Sequence, residues 1–309
     1  MPNPSIWKIH FLQKRDHIDV QGVVLSETPS LIGQHDRSLA TFRKLVNSYL
    51  TRPARQLELT AMANGKDQVF HTQQDGSFVV RIEADQIPDI RFFYEGKPVS
   101  ILQHYPRAFA ENRSARYLLI SDIDDTILVS RSAHFFSRLW LMLFHAVRRR
   151  KVVEETAAAY QMLMQSGQVQ FVYVSGSESN LFHLITSFFT HNDLPEAPLF
   201  LRPHVRWQEL LQREPRASHK LNYICQLIED FPDKEVLLFG DDSQQDHDIF
   251  KEVSAQYPDR VAAAFVRETG LNKKFFSRLE KEEFGNAHTT WYYYNTFAQV
   301  RPVIEKLLQ

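Results

Sequence analysis

Cysteine is nearly absent. Cys225 is the only one in 309 residues, which excludes an intrachain disulfide framework and any cysteine-rich zinc site, and fits a reducing compartment. An excess of basic charge is also missing: 36 Lys and Arg stand against 37 Asp and Glu, a formal charge of −1. No global positive field therefore exists to hold nucleic acid, and a DNA-binding protein is disfavoured. No run of about eighteen apolar residues occurs, so no membrane-spanning helix is expected. The first residues, Met1 to Lys8, lack a basic stretch followed by an apolar run, so no secretion leader is expected and a cytoplasmic location is. Internal repeats and low-complexity tracts are absent, and none of the 13 histidines forms an i, i+4 metal pair. What remains is the composition of a folded chain. At 43% hydrophobic and 24% charged, it is neither disordered, collagen-like nor a mucin-like stalk. Its length corresponds to two domains of about 150 residues each.

The first third reads as all-β. Ile18–Val24, Leu57–Ala61 and Phe78–Ile82 alternate apolar and polar side chains, and Asn64-Gly65 and Asp75-Gly76 supply positive-φ turn positions between them. Two antiparallel sheets packed as a small β-sandwich follow. Leu39, Phe42, Leu45, Val46 and Tyr49 recur at helical spacing, which places a helix or helical turn between Asp36 and Leu50. The small, polar stretch Ala108–Arg116 marks a boundary, giving domains at residues 1–110 and 111–309. Beyond it the pattern changes to buried strands, Tyr117–Ile120, Val169–Val174, Leu199–Leu201, Glu235–Phe239 and Val261–Val266, alternating with helical segments. One such segment carries Leu221, Ile224, Leu227 and Ile228 on one face. That alternation predicts an α/β domain, a doubly wound parallel sheet. Trp291-Tyr292-Tyr293-Tyr294 fits an edge strand or packed tail better than a stacking platform for a ligand.

In such sheets ligands bind outside the carboxyl ends of the strands, and here those ends are strongly polar. The first strand runs into Ser121-Asp122-Ile123-Asp124-Asp125-Thr126, and the fourth into Gly240-Asp241-Asp242-Ser243-Gln244-Gln245-Asp246. Carboxylates crowded at one sheet edge repel one another unless a cation or a shared proton compensates. Oxygen ligands without cysteine favour Mg²⁺. Calcium is the weaker choice, because an EF-hand loop from Asp122 would have Ile127 where glycine belongs and Ala133 where glutamate belongs. The second strand ends in Ser175-Gly176-Ser177, whose hydroxyls and amides form a small anion cradle. Ser218 is positioned to cap a helix whose first turn holds Lys220, a cation for phosphate and nucleophile. Ser177 and Arg202 fit phosphate or head-group contacts and local hydrogen bonding equally well.

These four motifs, in this order, resemble the haloacid dehalogenase (HAD) phosphatase superfamily. The resemblance implies a HAD-like doubly wound sheet with a small cap, preceded here by the β-sandwich. It also implies that Asp122 is the nucleophile that carries an aspartyl-phosphate and that Asp124 is the acid and base. The implied Mg²⁺ ligands are Asp122, the backbone carbonyl of Asp124, Asp241 and Asp246, and the implied phosphate-binding groups are Ser175, Gly176 and Lys220. Longer stretches, Ser121–Ile127, Tyr173–Ser177, Pro198–Arg202, His219-Lys220 and Phe231–Asp241, are similar to the catalytic domain of the actin patch protein-type phosphatidate phosphatases. That similarity covers residues 116–270 and implies Mg²⁺-dependent hydrolysis of phosphatidate to diacylglycerol and phosphate. The alternatives are a soluble phosphomonoesterase acting on another substrate, and a binding or scaffold protein without turnover.

Leu139–Phe144 followed by Arg148, Arg149, Arg150 and Lys151 joins an apolar block to four cations within the cap segment, residues 130–165. It fits either a cap helix packed on the main domain or a peripheral contact with an anionic membrane surface.

Overall fold

The computed structural model describes residues 4–14, 16–29, 50–84, 89–103, 112–123, 147–203, 216–242, 246–268 and 289–309. The chain divides into two compact units. One comprises Met1–Glu111, Ser177–Phe188 and Glu196–Glu214; the other comprises Asn112–Gly176, Phe189–Pro195 and Pro215–Gln309.

Seven strands of the first unit, β1 (Ser5–Gln13), β2 (Ile18–Leu25), β3 (Glu58–Ala63), β4 (Lys66–His71), β5 (Ser77–Ile82), β6 (Ile90–Tyr94) and β7 (Lys97–Pro98), form two sheets. The antiparallel sheet β1-β2-β5 and the antiparallel sheet β4-β3-β6-β7 share one core. Ile6, Ile9, Val20, Val24 and Val80 from one sheet meet Leu59, Ala61, Phe70 and Phe92 from the other. Phe78 of β5 bridges them, its ring centroid 4.9 Å from Phe70 and 5.6 Å from Phe92. The β3–β4 hairpin turns at Asn64 and Gly65, both at positive φ (53° and 72°), the geometry that a two-residue connection requires. The expected sandwich is present. Of the expected helix between Asp36 and Leu50, only Leu50 lies within the described residues.

Strand β1 shows no alternation in the sequence because both of its faces are covered, and all nine residues are buried. Its outer face packs on the segments after β9. The Trp7 indole donates to the Ser179 carbonyl at 3.0 Å, the Lys8 ammonium stands 5.1 Å from the Phe182 ring centre, and His10 meets Phe200 edge-on.

The parallel sheet has six strands, β8 (Tyr117–Ser121), β9 (Val169–Glu178), β10 (Leu199–Arg202), β11 (Glu235–Asp241), β12 (Val261–Arg267) and β13 (Thr290–Tyr294). Their spatial order is β10-β9-β8-β11-β12-β13. Helices α1 (Val147–Gln165), α2 (Phe182–His191), α3 (Arg216–Asp230), α4 (Asp246–Gln256) and α5 (Phe297–Leu307) complete the described elements. Every residue of β8 and all but Glu235 of β11 are buried, as expected for strands covered on both faces. Trp291–Tyr294 forms the edge strand β13, where Tyr292 stacks on Phe265 and Phe265 on Phe239. The strand order reverses between β8 and β11, which pair in parallel, and at such a switch point the diverging connections leave a crevice at the carboxyl edge.

Two details depart from the sequence reading. Ser218 lies inside α3, which already includes Arg216, so it is not the residue that caps this helix. The second strand does not stop at Val174 but continues through Glu178, with Ser175, Gly176 and Ser177 buried in it, because small polar residues sustain the extended backbone after the apolar run has ended.

Candidate active site and metal centre

Asp122 is the first residue after β8, and its amide donates to the Phe239 carbonyl of β11 at 2.8 Å. This cross-strand bond carries the β8–β11 pairing past the last strand residue and sets Asp122 level with the end of β11. Asp241 is that strand's last residue. Asp246 opens α4, where a carboxylate is favoured by the unpaired amides and dipole of a helix start. One oxygen from each of these three carboxylates lies within 4.8 Å of the others, and all three side chains are buried.

Gly240 makes this convergence sterically possible. A Cβ there would come within 2.6 Å of Asp246 Oδ2 and 2.8 Å of the Phe250 ring, so its role is close approach rather than a special turn. The carboxylate of Asp246 also faces back toward the strand, where the Asp241 amide lies 3.4 Å from Oδ2.

Lys220 reaches the cluster from α3. Ile224, Leu227 and Ile228 form the buried stripe of that helix, and Lys220, one turn before Ile224, extends the same face toward the sheet edge. Its ammonium lies 2.7 Å from Asp122 Oδ1 and donates to Asp246 Oδ1. Burial opposes the charge, but the Asp122 and Asp246 carboxylates outweigh it and hold the ammonium above its ordinary pKa. Asp246 is pushed up to about 7, first by burial and then by the neighbouring Asp122 charge, against the pull of Lys220.

Three buried carboxylates gather around the Lys220 ammonium, a costly arrangement that a further cation or protons ease. A divalent ion is one such cation. Asp122 Oδ2 is buried and accepts no hydrogen bond from any described residue, leaving a hard oxygen lone pair for such an ion. The residues present therefore fit a divalent metal.

The sequence-predicted residues Asp122, Asp241, Asp246 and Lys220 thus meet at one place. Ser175 is buried in β9, two residues beyond Tyr173, which pairs with Ser121, so it lies further toward the carboxyl edge next to the Asp122 strand. Gly176 follows it. Asp124 lies outside the described residues, as do residues 130–146 of the cap segment; of Arg148 to Lys151 only the helical backbone belongs to the description. Arg202, buried, is 3.7 Å from Glu178, and its carbonyl accepts from the Ser179 hydroxyl, which gives it a local partner set. Two neighbours of Asp122 have no role assigned from the sequence: the Ser121 hydroxyl, and Tyr160 of α1, whose phenol lies 2.8 Å from it. Helical spacing in Ala157, Tyr160 and Leu163 marks Tyr160 as buried, but nothing in it pairs that residue with β8.

Comparison with known proteins adds what the chain is similar to. The profile of a family described as Phosphatidate phosphatase APP1, catalytic domain, matches residues 117–268. Phosphatidate phosphatase APP1 of Saccharomyces cerevisiae is 25% identical over 202 residues, covering 63% of this chain and 34% of the yeast protein. An uncharacterized protein of Schizosaccharomyces pombe is 27% identical over 153 residues, 48% of this chain and 25% of that protein. The chain therefore spans about a third or less of the length of these relatives. A carbohydrate acetylesterase from Xanthomonas citri covers 94% of the chain at a TM-score of 0.31 and 10% identity, too weak a likeness to bear on fold or function. From strand β8 through the end of β12, just under half of its length, this chain is therefore similar to the phosphatidate phosphatase APP1 catalytic-domain family.

Proposed function

We propose that the chain is a Mg²⁺-dependent phosphatidate phosphatase that releases diacylglycerol and phosphate through an aspartyl-phosphate on Asp122. Residues 111–309 would be its HAD-like catalytic domain and residues 1–110 its β-sandwich. The observation that carries the reading is the buried Asp122–Lys220 pair, set among Asp241 and Asp246 at the switch point of the sheet.

Lys220 pairs with Asp122 at 2.7 Å, and a carboxylate is the form required for in-line attack on phosphorus. Because Lys220 engages Oδ1, the other oxygen is the one available for metal or substrate. Asp122, Asp241 and Asp246, with the backbone of Asp124, would hold the ion, which when bound shields phosphate charge and keeps the phosphoryl group close to the carboxylate. Attack on phosphorus breaks the phosphorus–oxygen bond to glycerol, and Asp124, by family resemblance, supplies the proton to the departing alkoxide. The same residue then takes a proton from the water that cleaves the acyl phosphate. Ser175, the Gly176 amide and Lys220 are assigned to the phosphate oxygens.

A lipid substrate requires contact with a bilayer surface, and residues 139–151 remain the segment proposed for it. No described helix is long and apolar enough to cross a membrane. The activity is tested by phosphate release from dispersed phosphatidate and from a panel of soluble phosphomonoesters, with and without Mg²⁺, in wild type and Asp122→Asn. Wild type is expected to act on phosphatidate only with Mg²⁺, and the variant to lose at least about a thousandfold in rate. Unchanged release by Asp122→Asn would refute the nucleophile; preference for a soluble ester would refute the lipid.

A further inference from the structure

Asp122 is held at both of its backbone polar atoms. Its amide donates to the Phe239 carbonyl at 2.8 Å, and its carbonyl accepts from the Ser121 hydroxyl at 2.8 Å. Ser121 has a single hydroxyl proton, and the carbonyl can only accept, so that proton points at Asp122. The Tyr160 phenol, 2.8 Å from Ser121 Oγ, must then be the donor to Ser121. The result is a directed relay, from the Tyr160 hydroxyl to the Ser121 hydroxyl to the Asp122 carbonyl.

Tyr160 is fixed at the start of this relay. It is completely buried, with ring centroids 4.9 Å from Phe171, 6.0 Å from Phe239 and 6.3 Å from Phe297. Among the described residues Ser121 is the partner its hydroxyl finds within that aromatic cage, and a buried phenol without one is destabilising. Burial also holds the phenol well above its ordinary pKa, so it remains a donor across the working range of an enzyme.

We propose that Tyr160 is a positioning residue for Asp122: acting through Ser121, it fixes the Asp122 carbonyl and thereby the aim of the Asp122 carboxylate. Turning that peptide would swing the side chain away from Lys220, Asp241 and Asp246. Small misplacements of a reacting group are expensive, which is why a hydroxyl that touches neither substrate nor metal affects the rate. The kinetic part of this inference rests on the phosphatase reading; the effect on metal capture does not.

The test uses the full chain as wild type, Tyr160→Phe, Ser121→Ala and the double variant. Tyr160→Phe removes one oxygen and keeps the ring packing. The first measurement, without substrate, is the Mg²⁺ concentration that gives half of the metal-induced rise in Tm; the second is kcat and KM on phosphatidate. Tyr160→Phe is expected to raise the Mg²⁺ midpoint about fivefold and to lower kcat about tenfold, with KM within about twofold. Ser121→Ala should match it, and the double variant should be no worse than either, because the two hydroxyls act in series. A lower Tm with midpoint and kcat unchanged marks a purely structural tyrosine and overturns the proposal, as do effects that multiply in the double variant. An inactive wild type whose Mg²⁺ midpoint still shifts in Tyr160→Phe supports the relay and overturns the phosphatase reading instead. A wild type with no Mg²⁺-induced rise overturns both.

Discussion

Gly240 lies directly beneath Asp246: a methyl group on its Cα would sit 2.6 Å from Asp246 Oδ2. Gly240→Ala is therefore expected to push Asp246 away from Asp122 and Asp241 and to strain the Phe250 ring. Overpacking of this kind typically costs about 1–3 kcal/mol. The checks are the Tm of the metal-free protein and calorimetric Mg²⁺ affinity, expected to fall about tenfold or more. Affinity equal to wild type would show that Asp246 does not contribute to the ion site.

Two buried lysines are distinguished by the response of their variants to Mg²⁺. Lys220→Met leaves the carboxylates uncompensated and is expected to destabilise the metal-free protein by about 3–5 kcal/mol. Mg²⁺ should then raise its Tm by more than it does in wild type, since the ion becomes the only cation in the cluster. Lys234 donates instead to the carbonyls of Asn112 and Ala115 at 3.0 and 2.9 Å, tying the residues before β8 to those before β11. Lys234→Met should lower Tm too, with the Mg²⁺-induced rise unchanged. Equal responses from the two variants would contradict the assignment of Lys220 to the site.

Stability should also depend on pH through Lys8. Burial pulls its ammonium down to about 7, against the raising influence of Asp75. Between that value and 10.5 the unfolded chain binds a proton that the folded one does not, so stability rises with pH across this window. Below it the cost of the buried charge is present in full, on the order of several kcal/mol. Lys8→Met is expected to stabilise the protein at pH 7 and to flatten the denaturant-derived stability curve at higher pH. A curve as steep as that of wild type would place the titrating group elsewhere.

The α/β part was legible because its signals are local and agree with one another. Each of the strands ending near Asp122 and Asp241 is a short apolar run that turns acidic, and the α3 stripe Ile224, Leu227 and Ile228 has the spacing of a helix packed on one face. The sandwich was only half legible. β2 and β5 alternate, but β1 carries Lys8 and His10 among apolar residues and is buried on both sides, so no period of two survives. β4 failed for the opposite reason: only Phe70 of its six residues is buried, and Val69 is exposed. Within the site, motif order supplied Lys220 and Asp246. Ser121 opened the first motif without a role and Tyr160 carried no mark, because a hydroxyl on a strand and a phenol on a helix are ordinary residues until the fold brings them into contact.

The pairing of β8 with β11 has a temporal consequence. Asp122 leaves the ribosome long before Asp241, with two strands and three helices of the described fold made in between. Such a long-range closure is entropically slow, and the ion cannot be gripped until it is complete. Capture of an ion by the three carboxylates would therefore report the β8–β11 closure, and a nascent or truncated chain ending before β11 has no means of assembling the three-carboxylate site.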